Sequence, residues 1–152
     1  MKFRYTIQQY QTDAVNSVVN VFKGQQKTDD STYIRDKGNR RKDVNLFEKE
    51  PVEGNLGYAN EPVQLDANQL LKNIHTIQAE NMITPSDQLV ANGLGICSLD
   101  VEMETGTGKT YVYIKTMYEL NAHYGWSKFI VVVPSIAIRE GVRKSFETTQ
   151  EH

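Results

Sequence analysis

The stretch Glu102–Tyr111, EMETGTGKTY, sets two glycines, a lysine and a threonine within five positions. That combination suits the holding of a polyphosphate. A phosphate chain that leaves water needs donors in return, and a loop of converging backbone N–H groups supplies them if no side chain blocks the approach. Gly106 and Gly108 give that clearance and can both adopt positive φ. Lys109 would set its ammonium between the β and γ phosphates, and Thr110 would offer its hydroxyl to Mg²⁺. Thr105 and Thr107 complete the loop with their amides. A polyphosphate tail and Mg²⁺ are thus the expected ligands of residues 105–110. The strict pattern G-x-x-x-x-G-K-[ST] places a glycine where this chain has Met103.

Such a loop works only between a strand that delivers it and a helix that receives it. Upstream, ICSLDVEM alternates Leu99, Val101 and Met103 as a strand does. Downstream, Tyr113, Met117, Leu120 and Tyr124 share a helical face that Gly125 closes. KFIVVVP follows, a continuous β-branched run expected to be a strand buried on both faces of a parallel sheet. A last helix starts with Ser135 as N-cap and runs through Ile138, Val142 and Phe146, tolerating Gly141. The order strand, loop, helix, strand, helix predicts a right-handed crossover, with residues 105–110 and 134–139 on one rim of an α/β domain.

Earlier in the chain, Tyr10, Ala14, Val18 and Val21/Phe22 recur at helical spacing over 6–22, with Thr6 and Gln9 able to form a capping box. Residues 24–62 are polar and lack a period, so they read as a long surface insertion, with short extended pieces near Tyr33 and Leu46. Its basic cluster RDKGNRRK could touch phosphate, but such a run more often forms a solvated loop. Asp66 with Gln69 opens a second helix, striped by Leu70, Leu71, Ile74 and Ile77 and ending before Pro85. His75 lies beside that stripe with no companion at metal-ligand spacing, which makes it structural.

Composition narrows the function classes. With 39% hydrophobic and 24% charged residues over 152 positions, the chain reads as one soluble globular domain, 1–152. No run approaches the roughly 20 apolar residues of a membrane span, and MKFRYTIQQY lacks a signal-peptide core, so no membrane and a cytoplasmic setting are expected. The single Cys97 fits a reducing compartment or simply a small buried side chain. A net charge of -2 carries no global field for nucleic acid, so any DNA contact must be local.

The departure at Met103 is informative, because ETGTGKT resembles the variant of superfamily 2 helicases and translocases. YQTDAV resembles their Q-motif, which implies that Gln11 reads adenine; Gln8 and Gln9 stand close enough to be alternatives. A glutamine amide can pair with adenine N6 and N7, about 1 to 3 kcal/mol of discrimination, whereas guanine presents an acceptor at that edge. VVVPSIAIREGV resembles motif Ia, which implies DNA-backbone contacts by Ser135 and Arg139, although an N-cap serving its own helix gives the same pattern. Together with METGTGKTYVYIKTMYELN and YGWSKFIVVVPSIAIREGV, these segments resemble the amino-terminal part of the restriction (helicase-nuclease) subunit of type III restriction-modification enzymes.

That resemblance implies a partial RecA-like P-loop domain with parallel strands, an amino-terminal Q-motif helix and the polar insertion. It also implies double-stranded DNA and a modification (methyltransferase) subunit as partners. The acidic hydrolysis motif and the nuclease domain of such enzymes are not found before His152, so the chain reads as an amino-terminal fragment that holds ATP without turning it over. A small P-loop phosphotransferase and a non-catalytic nucleotide-binding remnant are the alternatives from other classes.

Overall fold

The computed structural model describes residues 6–27, 60–93 and 95–149. Four helices form among them: α1 (Gln9–Val21), α2 (Ala67–Glu80), α3 (Lys109–Tyr124) and α4 (Ile136–Thr149). α1 packs against both α2 and α3, and α3 also meets α4.

The start of α2 follows its sequence closely. Asp66 accepts from the Gln69 amide at 2.8 Å, and Gln69 Oε1 accepts from the Asp66 amide at 3.1 Å, the reciprocal capping box. Leu70, just inside, is fully buried. At α1 the expected box shifts by two residues. Gln8, not Thr6, is the N-cap, and Gln11 Oε1 accepts weakly from its amide at 3.5 Å. The buried face keeps Val21 of the expected stripe and adds Val15 and Val19, while Tyr10 is 48% exposed. A helix with neighbours on two sides buries a wider face than one periodic stripe specifies.

Two apolar clusters form around α1. Val15, Val19, Val112, Leu120, Tyr124 and Trp126 make the first, with Phe22 set edge-on to Trp126 at a centroid distance of 5.0 Å. The buried polar tips of its aromatics are satisfied: Tyr124 Oη donates to Val19 O at 2.9 Å and Trp126 Nε1 donates to Glu61 O at 2.9 Å. The second cluster joins Val21, Leu65 and Leu70, with Ile74, Ile77 and Leu99 packed against it. Gln25 ties the two ends of the polar insertion together. Its Oε1 accepts from Gln64 N at 2.8 Å, and its Nε2 donates to Pro62 O at 3.4 Å. The expected extended pieces near Tyr33 and Leu46, and the basic cluster, lie outside the described residues.

The expected α/β fold is overturned. No strand or sheet forms among the described residues, whose one β-bridge joins Asn92 and Gly95. Residues 97–103 and 128–133 carry no ladder, so the parallel crossover and its shared rim are absent as well. Ile130 and Val132, expected to be buried on both faces, are 92% and 88% exposed. The reason is physical. A β-branched run has only a preference for extended backbone, and a ladder needs partners for its N–H and C=O groups. Here the partner found for the start of this run is a side chain: Asn60 Oδ1 accepts from the amides of Ser127 and Lys128 at 3.0 and 2.9 Å.

Candidate phosphate-binding loop

The glycine loop keeps its position without a sheet because contacts at its entry, within it and on its far side hold it. Met103 packs against the first apolar cluster and anchors the entry. This accounts for a large side chain where the strict pattern has glycine. Inside the loop, Thr107 Oγ1 donates to Glu104 O at 2.6 Å and closes a tight turn. On its far side, Thr107 O accepts from Gln11 Nε2 at 2.9 Å and from Tyr10 Oη at 3.2 Å.

Both glycines are required, for different reasons. Gly106 has φ 84° with nothing within 4 Å of a Cβ, so backbone conformation alone selects it. Gly108 has φ 85° and is the left-handed N-cap of α3; a Cβ there would stand 2.6 Å from Gln11 Nε2. No side chain caps α3. Among the described residues, the amides of Thr105, Gly106, Gly108, Lys109, Thr110 and Tyr111 meet no protein acceptor. Free amides at a helix start, with the helix dipole behind them, favour an anion. Lys109 adds an exposed ammonium without an ion-pair partner among the described residues, and the half-buried Thr110 hydroxyl has no protein partner there.

A cavity of about 740 Å³ opens beside the loop, walled by Asp13, Asp100, Glu102 and Glu104 over apolar side chains of α1 and α2. Four carboxylates repel an anion, and Gly106, Gly108, Lys109 and Thr110 do not line it. The face of the loop that carries the free amides and Lys109 is therefore distinct from this cavity.

The structure brings Gln11 and residues 105–110 together. It does not join Ser135 or Arg139 to them: Ser135 Oγ accepts from Ile138 N at 3.3 Å, as an N-cap does, and Arg139 pairs with its neighbour Glu140 at 3.0 Å. His75 Nε2 lies 2.7 Å from Ser86 O, the structural role expected of it. Cys97 is a free thiol whose burial pushes its pKa up. No cluster of three or more His, Cys, Asp or Glu side chains suited to a metal exists among the described residues, and no helix there is long and apolar enough to cross a membrane. Tyr10 escaped sequence reasoning because helical spacing assigned it to the core stripe. Its adjacency to Gln11 was the one available signal.

A family model described as "Type III restriction enzyme, res subunit" matches residues 57–152, which include the whole loop. The chain belongs to this family. Among curated res-subunit relatives, the EcoP15I Res subunit of Escherichia coli is 45% identical over 83 residues, 55% of this chain and 8% of that protein. The EcoPI Res subunit of Escherichia phage P1 is 43% identical over 84 residues, 54% of this chain and 8% of its own length. The StyLTI Res subunit of Salmonella typhimurium reaches 63% identity over 46 residues, 30% of this chain and 5% of the relative. The matched stretches thus cover less than a tenth of each res subunit.

Proposed function

We propose that residues 105–110 bind the triphosphate of ATP for a type III restriction res subunit, an ATP-dependent motor on double-stranded DNA that works with a modification subunit in the cytoplasm. The observation that carries the reading is the set of amides at Thr105, Gly106 and Gly108 to Tyr111 that meet no acceptor among the described residues, combined with two positive-φ glycines and a Lys109 without an ion-pair partner there. These groups fit a triphosphate: the amides would meet its oxygens, Lys109 Nζ would balance charge on the β and γ phosphates, and the Thr110 hydroxyl would be the ligand offered to Mg²⁺. Bound Mg²⁺ would neutralise phosphate charge.

Gln11 supplies the base specificity. Its amide uses one proton on Thr107 O and one lone pair on Gln8 N, which leaves one donor and one acceptor for adenine. Ser135 and Arg139 contribute contacts to the DNA backbone from the start of α4. Calorimetric titration of ATP and GTP into wild type and Gln11→Ala tests the base assignment. ATP should bind more tightly than GTP, and the preference should collapse in the variant. Equal affinities of wild type for both nucleotides would rule out base reading by Gln11.

A further inference from the structure

We propose that Tyr10 is a positioning residue for phosphate binding: with Gln11 it latches the Thr107–Gly108 peptide in the orientation that turns the Gly108 amide toward the anion. The inference rests on the phosphate-binding reading above.

Two side chains from the start of α1 converge on one carbonyl oxygen across 97 and 96 positions of sequence. Thr107 O and the Gly108 N–H belong to the same peptide plane, and the described chain contains no cis peptide bond. In a trans unit these groups point in opposite directions. Fixing the carbonyl toward α1 therefore fixes the amide away from it, where no group among the described residues accepts it.

The latch is needed because glycine makes this peptide easy to turn. Gly108 tolerates φ of either sign, so rotation of the 107–108 peptide meets no Cβ penalty on that side. A turned peptide would present an oxygen to the phosphate and lose both donors from α1. Affinity for an anion then scales with the fraction of molecules whose peptide is correctly set. The same glycine lets Gln11 reach the carbonyl, since a Cβ on Gly108 would stand 2.6 Å from its amide nitrogen and force it to move.

Tyr10 is 48% exposed and outside both apolar clusters, so Tyr10→Phe removes the hydroxyl without disturbing the core. The test measures affinity for tripolyphosphate, ATP and GTP on the full chain carrying Tyr10→Phe, Tyr118→Phe as an exposed-tyrosine control, or Lys109→Ala. Loss of one hydrogen bond from the latch should weaken tripolyphosphate and ATP alike by roughly three- to tenfold. The ATP-to-GTP ratio and the thermal midpoint should stay unchanged, and Tyr118→Phe should match wild type. Tyr10→Phe binding tripolyphosphate as wild type does, while Lys109→Ala does not, overturns the latch and leaves the phosphate site standing. A change in the ATP-to-GTP ratio alone would move Tyr10 to the base and also overturn it. Wild type that binds no tripolyphosphate, or binds it independently of Lys109, defeats the phosphate-binding reading itself.

Discussion

Gly108→Ala tests the geometry of the loop most sharply, because two separate penalties meet at that position. A left-handed φ costs a non-glycine residue about 1 to 2 kcal/mol. Its Cβ would also stand 2.6 Å from Gln11 Nε2, a distance at which the amide must move off Thr107 O. Losing that hydrogen bond costs about 0.5 to 1.5 kcal/mol more. The sum, about 1.5 to 3.5 kcal/mol, corresponds to roughly ten- to several-hundredfold weaker nucleotide binding when the ligand must restore the native loop. Gly106→Ala is the built-in comparison: its φ of 84° is equally left-handed, but open space surrounds its Cβ. It should lose only the conformational part, roughly five- to thirtyfold. Isothermal titration with ATP, alongside circular dichroism to confirm folding, gives both numbers. Equal losses in the two variants would refute the proposed collision with Gln11, and wild-type affinity in Gly108→Ala would refute the loop geometry as a whole.

Two further outcomes follow from packing and charge. Burial raises the Tyr124 pKa above its ordinary value of 10.0, so the folded state favours the protonated phenol. Its contribution to stability is full below pH 10 and declines as the pH rises above it, and Tyr124→Phe should flatten that alkaline decline in thermal melts. A wild-type decline that persists unchanged in the variant would assign it to another group. The exposed Ile130 and Val132 in an unladdered β-branched run should drive concentration-dependent association, which Val132→Lys should reduce in sedimentation velocity. A wild type that remains a monodisperse monomer at high concentration would contradict this.

Local signals survived into the structure, and long-range ones did not. Asp66 and Gln69 cap α2 because a capping box needs only three neighbouring residues to agree. Gly125 ends α3 with φ 77°, and Ser135 caps α4, for the same local reason. The backbone of the glycine loop was readable, since both Gly106 and Gly108 take the positive φ that glycine permits. At α1 the choice between Thr6/Gln9 and Gln8/Gln11 was undetermined by spacing, and the pull of Thr107 O on Gln11 accompanies the second pair. The strands were misread because alternation in ICSLDVEM and branching in FIVVV report backbone preference and say nothing of a pairing partner. Of the alternating Leu99, Val101 and Met103, the first and last do pack against the two clusters, but Val101 is 46% exposed. The role of Tyr10 depended on a contact 97 positions away, which no local pattern encodes.

The central claim, that a glycine loop and one ammonium at the head of α3 hold a triphosphate, is tested most directly by titrating ATP into wild type and Lys109→Ala. A charge-assisted contact contributes about 1.5 to 3 kcal/mol, so the variant should bind roughly ten- to a hundredfold more weakly with its fold intact. Indistinguishable binding curves for the two proteins would contradict the account.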